Sequence, residues 1–195
     1  FLDSALQRSS VVSHAKLLNY VPQSASAPTA LINVAFTGVT TTYMTIPQYT
    51  NFLSEAVGGV NYNYVTTEAT TVPVYGGVAQ FNDIEIRQGV QSTYTFYSDQ
   101  TTNPTYTFEI PDPNIDTSTL QVLVQQSISN TAYQIYNPTN DYLSLGSTDK
   151  VYFLQEATNG NYQVYFGDGV IGNQLSDGNV IQLTAISTSG TAEIG

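Results

Sequence analysis

KVYFLQEATNGNYQVYFGDGVIGNQLSDGN, residues 150–179, is the segment on which the rest of the chain can be hung. Residues 151–157 and 161–166 are dense in β-branched and aromatic side chains, which suit a pleated, half-buried surface. Between them stands Asn159-Gly160, a pair that accepts the positive φ angles of a two-residue type I′ turn. The stretch therefore reads as a β-hairpin. Closing the loop at that pair sets Phe153 opposite Phe166, Gln155 opposite Val164 and Ala157 opposite Tyr162, the face expected to be buried. Leu154 with Tyr165 and Glu156 with Gln163 form the wetter face. A hairpin alone is marginal in water, so more sheet must surround it. Beyond Phe166, the turn formers Gly167-Asp168-Gly169, Gly172 and Ser176-Asp177-Gly178-Asn179 reverse the chain twice.

Working outward, strand-like runs recur at 30–36, 43–46, 48–53, 62–67, 71–75, 78–87, 92–96, 106–110, 119–127 and 179–186, with Gly, Pro, Asn or Asp between them. Short strands spaced by about ten residues predict a mainly β chain folded as an antiparallel sandwich or barrel. Pro111-Asp112-Pro113-Asn114 is the strongest internal break, where the β domain of residues 23–195 either continues whole or divides into two lobes near 111–116. A second loop is expected at 137–141. Helical periodicity is confined to residues 1–20, where Leu2 and Leu6, then Val11, Ala15 and Leu18, share a face with Val12 at its margin. This predicts an N-terminal helical arm over 1–22, as one helix or as two meeting near Arg8-Ser9, with Asn19 and Pro22 ending it. A helical piece this short needs something packed on its stripe. A partner chain is the favoured cover and the β domain itself the competing one, so these six residues are the candidate partner-binding set.

Fifteen acidic residues against four basic ones give a net charge of −11. Such a chain cannot neutralise phosphates, which argues against nucleic acid and anionic membranes as partners. With no cysteine in the chain, disulfides, thiolate metal sites and thiol catalysis are all excluded. No apolar run reaches the length of about 18 residues needed to cross a bilayer as a helix. The chain opens on Phe1 and stops at Gly195 just after a strand-like run, which reads as a piece of a longer protein.

No constellation carries catalysis. His14, the single histidine, has Ser10, Ser13 and Lys16 as neighbours and no acid nearer than Asp3, too little for a triad or a metal centre. Asp112, Asn114 and Asp116, and Asp168, Asp177 and Asn179, offer oxygens of the kind calcium prefers, but neither set follows a calcium-loop pattern, and plain turns use the same residues. Gly167-x-Gly169-x-x-Gly172 has the spacing of a dinucleotide fingerprint without a helix after it to hold pyrophosphate. The fifteen tyrosines fit half-buried strand positions better than a sugar groove. No enzyme activity, metal, cofactor or small-molecule substrate is expected.

The run VYFLQEATNGNYQVYFGDGVIGNQLSDGNVIQL, preceded in order by RSSVVSHAKLLNYVPQSASAP, TIPQYTNF and NYNYVTTEAT, resembles the baseplate wedge subunits of contractile-tailed, T-even-type bacteriophages in the baseplate J-like family. The resemblance implies a structural scaffold of the virion's tail baseplate, assembled in the host cytoplasm. It also implies association with other copies of itself and with other wedge proteins in a ring around the central hub. At 46–50 the family typically has Ile-Pro-Lys-Gly-Thr where this chain has Ile-Pro-Gln-Tyr-Thr, so a different turn geometry is expected there. The alternative reading is a calcium-dependent carbohydrate-binding or adhesion sandwich.

Overall fold

The structure, a computed structural model, describes residues 23–56, 59–141 and 143–189. The helical arm expected at 1–22 lies outside them. The described residues form thirteen strands and no helix: β1 (Thr29–Thr37), β2 (Tyr43–Ile46), β3 (Asn51–Leu53), β4 (Asn63–Thr66), β5 (Thr70–Tyr75), β6 (Val78–Gln88), β7 (Val90–Tyr97), β8 (Phe108–Ile110), β9 (Ile115–Ser127), β10 (Asn130–Pro138), β11 (Val151–Glu156), β12 (Tyr162–Phe166) and β13 (Val180–Ser187). The mainly β expectation holds. Two sheets result, one of six strands from β1–β6 and one of seven ordered β7-β13-β9-β10-β11-β12-β8. Two compact units are built from these strands: one holds 93–113 and 120–185, the other 25–92, 114–119 and 186–189.

In the second unit β6 is the hub, pairing β1 along its length on one edge and β5 and β4 in succession on the other. Its alternation changes phase midway, burying Ala79 and Phe81 but then Ile84, Ile86 and Gln88. A β-bulge accounts for the switch. Asp83 takes a φ of 53°, the β1–β6 register slips between Ile32 and Val34, and the Asp83 amide donates to Asn33 Oδ1 at 2.8 Å. The extra residue keeps apolar side chains inward on both halves of a strand too long for one flat pleat. Phe81 meets Phe36 edge-on at 5.9 Å within this core.

The 46–50 turn is built around Tyr49. The residue adopts φ 62°, the conformation glycine takes at the third position of a type II turn, and the Thr50 amide closes the turn on the Pro47 carbonyl at 3.3 Å. Its ring packs on the buried group of Ala27, Val65 and Ile186. Packing thus holds a tyrosine where the backbone favours glycine.

In the unit of residues 93–113 and 120–185, the seven-stranded sheet curls toward a barrel: Phe96 of β7 and Phe108 of β8, on its two end strands, lie 5.4 Å apart. Phe166 joins that core, meeting Phe108 at 6.0 Å and Tyr136 at 5.4 Å, both edge-on. Within this sheet β10 and β11 run parallel, at Asn137–Val151 and Pro138–Tyr152.

The organising hairpin forms, but its register differs by one from that expected. Tyr152 faces Phe166, Phe153 faces Tyr165, Leu154 faces Val164, Gln155 faces Gln163 and Glu156 faces Tyr162. The cause is the loop. Gly160 alone takes a positive φ, 89°, while Asn159 does not, so a type I′ turn cannot form. The Ala157 amide instead donates to the Asn161 carbonyl at 2.7 Å, closing a three-residue loop of Thr158, Asn159 and Gly160. On β12 the buried face is the expected one, Tyr162, Val164 and Phe166. On β11 it is Tyr152, Leu154 and Glu156 that oppose them, while Phe153 is buried on the other face and stacks on Tyr165 at 5.1 Å.

Candidate assembly surfaces

The acidic loops are committed to backbone and hydroxyl partners. Asp168 Oδ1 accepts the amides of Val170 and Ile171, both at 2.9 Å, and these bonds hold its carboxyl below the usual range. Asp177 Oδ1 accepts the Gln100 amide at 2.7 Å and the Tyr106 hydroxyl at 2.8 Å. Asn179 accepts from the Ser176 amide and donates to the Gln126 carbonyl, which fixes the chain entering β13. Asp112 accepts from the Tyr94 hydroxyl at 3.3 Å. In the other unit Asp116 is buried, receiving the Ala27 amide at 2.9 Å, the Ser118 amide at 3.0 Å and hydroxyl at 2.6 Å, and Arg87 Nη1 at 3.4 Å. Among the described residues no three His, Cys, Asp or Glu gather as a metal cluster. His14 and the stripe of Leu2, Leu6, Val11, Val12, Ala15 and Leu18 lie outside the described residues.

The glycine spacing of 167–172 has a mechanical reason. A Cβ on Gly167 would stand 2.3 Å from the Gly172 carbonyl carbon, so the loop folds back on itself with no room for a side chain. Gly169 donates to the Gly172 carbonyl at 3.1 Å, and the Gly172 amide reaches the Gly146 carbonyl at 3.0 Å. Close backbone approach explains the pattern. Glu109 of β8 makes a comparable clamp, its carboxylate accepting from Asn159, Asn161 and Gln163, which together hold its pKa below the usual glutamate value.

Beyond these loops the surface also offers exposed apolar side chains. On the β6 unit Leu31, Tyr43 and Tyr75 stand exposed on strands. On the hairpin unit the feature is β9–β10, an antiparallel hairpin pairing Tyr133 with Gln125, Gln134 with Val124, Ile135 with Leu123 and Tyr136 with Val122. Ile128 at its tip is 71% exposed, Tyr133 59% and Ile135 53%. The hairpin borders a groove of about 450 Å³, lined by the amides Gln126, Asn130, Gln134, Asn173, Gln174 and Asn179 together with Tyr133 and Tyr136. From 117 to 140 the chain carries no Asp, Glu, Lys, Arg or His. β10 was not among the strand-like runs, and that uncharged run in an acidic chain is the signal that marks this surface.

Comparison with known proteins bears on what such surfaces serve. The family profile described as "Bacteriophage baseplate wedge protein gp6, third domain" matches residues 90–187, from the first residue of β7 to the last of β13. The matched region is thus the whole run of strands that build the seven-stranded sheet. The chain is also similar to "Baseplate wedge protein gp6" of Enterobacteria phage T4, with 31% identity over 182 residues. That alignment covers 91% of this chain and 26% of the relative, so the chain spans about a quarter of the length of the curated relative it matches. The similarity continues upstream of the profile match and takes in strands of both sheets. With a profile over half its length and a relative aligned over most of it, the chain belongs to the bacteriophage baseplate wedge protein gp6 family.

Proposed function

We propose that this chain is a non-catalytic structural segment of a phage tail-baseplate wedge, assembled in the host cytoplasm, that associates with copies of itself and with other wedge proteins in a ring around the central hub. The observation that carries the reading is the profile match, which begins and ends with the strands of one sheet and so concerns that sheet as a whole. Exposed strand side chains on both units and an uncharged hairpin are the surfaces a scaffold needs, since buried interface cores are depleted in charge and enriched in aromatic residues. The apolar stripe of 1–22 serves in the same reading as a docking arm for another wedge chain.

Co-expression with the other wedge proteins tests the proposal. The tagged chain is expected to be retained in wedge complexes, and a deletion of 1–22 is expected to weaken that retention while leaving the melting of the β units within a few degrees. A chain that never enters a wedge complex refutes the structural role. A loss of folding on deleting 1–22 refutes the docking arm alone. Calcium and chelator separate this reading from the carbohydrate-binding alternative: neither is expected to move the melting temperature, whereas a large rise at sub-millimolar calcium with glycan retention would favour that alternative.

A further inference from the structure

The free edge of β10 is an unguarded strand. Its residues 133–136 pair with β9 on one side, and β11 joins the other side only at Asn137 and Pro138. Among the described residues, nothing pairs with 130–136 on the side away from β9, so alternate N–H and C=O groups there point outward. Natural edges of this kind are blunted by lysine, proline, inward charge or a bulge. Here Pro138 comes only after the free run and no charged residue lies within 117–140. The one irregularity, a register shift between Asn130 and Tyr133, falls in the first residues of the free run beside the tip, and 133–136 pair regularly with β9.

Charge identifies the occupant. Two copies of a chain of −11 repel one another over most orientations, and the repulsion is least where the approaching surfaces carry no charge. The uncharged hairpin is that surface, and its edge is self-complementary. Antiparallel pairing of β10 with its own copy sets neutral polar and apolar side chains against the same classes, and satisfies the outward backbone groups of both strands. We infer that β10 pairs edge to edge with β10 of a second copy across a two-fold axis within 131–135, continuing one sheet through two chains. The inference rests on the self-association in the proposed function and names its surface.

The absence of cysteine makes the test clean, because a single introduced cysteine can be oxidised only between chains. A two-fold antiparallel pair brings just one residue opposite its own copy. Neighbouring positions lie about two residues from theirs, too far for a disulfide. A single-cysteine scan over 130–136 is therefore expected to give one sharp maximum of cross-linked dimer. Sedimentation of the unmodified chain is expected to show a dimer that strengthens as salt rises from about 20 to about 300 mM, since screening removes repulsion between the acidic bodies. The double substitution Tyr133→Lys, Ile135→Lys is expected to weaken association at least tenfold without lowering the melting temperature, as both side chains are exposed. A dimer that persists in the double variant, with no cross-linking maximum in the scan, overturns this surface while leaving self-association intact. A chain that stays monomeric at every concentration and salt overturns both.

Discussion

The shifted register of the β11–β12 hairpin makes a quantitative prediction about which rings are energetically coupled. Phe153 is buried and stacks on its cross-strand partner Tyr165 with centroids 5.1 Å apart and planes 22° from parallel. Phe166 stands on the opposite face, against Phe108 and Tyr136. Phe153→Ala and Phe166→Ala should each cost about 3 to 5 kcal/mol, from lost transfer energy and an unfilled cavity. Tyr165, half-buried, should cost less. The informative quantity is the coupling. Phe153 and Tyr165 should show an interaction energy of about 0.5 to 1.5 kcal/mol in a double-mutant cycle, the range for a close aromatic pair. Phe153 and Phe166 lie on opposite faces of the sheet and should couple by less than about 0.5 kcal/mol. Urea melts of the four proteins in each cycle supply the numbers, with an unchanged m-value as the check that unfolding stays two-state. A larger coupling between Phe153 and Phe166 than between Phe153 and Tyr165 would restore the two-residue loop and refute the register.

Four further expectations follow from local geometry. Gly167→Ala must move backbone to relieve a 2.3 Å contact and should destabilise by about 3 kcal/mol or more, whereas Gly160→Ala meets open space and should cost only the roughly 1 to 2 kcal/mol of a left-handed alanine; equal effects in urea melts would contradict the packed loop. Asp116→Ala leaves the Ala27 and Ser118 amides and Arg87 without their shared acceptor and should cost about 3 kcal/mol, with faster amide exchange at Ala27; an unaltered Ala27 exchange rate would show that this clasp does not hold the segment. Burial pushes the Tyr152 hydroxyl up to about 12, so its contribution to stability is complete below the unfolded value near 10 and is lost as pH rises through 12; tyrosinate absorbance from Tyr152 appearing near 10 in the folded protein would contradict that burial. At the acid end the sign reverses. The Glu109 clamp, with its depressed pKa, stabilises above the unfolded glutamate value and is lost as pH falls through the folded one, so Glu109→Gln should flatten that part of the acid melt.

The β strands were legible because their signals are local. The 78–87 run carries alternating apolar residues with Gly77 before it and Gly89 after it, and β6 forms over Val78–Gln88. The phase change inside it was not legible, because the bulge depends on Asn33 from another strand capturing the Asp83 amide. The hairpin was legible and its register was not. Asn-Gly admits both a two-residue loop and a three-residue loop with glycine last, and the choice rests on packing across the sheet rather than on the pair itself. β10 escaped because apolar and polar residues occur on both of its faces, and all but Tyr136 are exposed, so no alternation marks it. At Tyr49 the left-handed backbone was not legible, because the ring that occupies it is held by packing on Ala27, Val65 and Ile186 from distant parts of the chain. Of the candidate sites, the acidic turns place their carboxylates on backbone amides and hydroxyls, while the uncharged hairpin carries no motif, only an absence of charge.

The order of strands in the larger sheet also dictates when it can form. β13 lies between β7 and β9, although Tyr97 and Val180 are separated by more than eighty residues of chain. At a synthesis rate of roughly 5–20 residues per second, β7 waits about 4 to 17 seconds on the ribosome for the strand that will occupy its flank. Hairpins β9–β10 and β11–β12, being local, can close long before then. The nascent chain therefore carries preformed hairpins beside two unsatisfied strand edges, and insertion of β13 is the slow, non-local step. Competition for those edges from neighbouring nascent chains makes yield during expression depend on how quickly residues 180–187 arrive, so slowing translation between codons 128 and 179 should raise aggregation more than slowing it earlier.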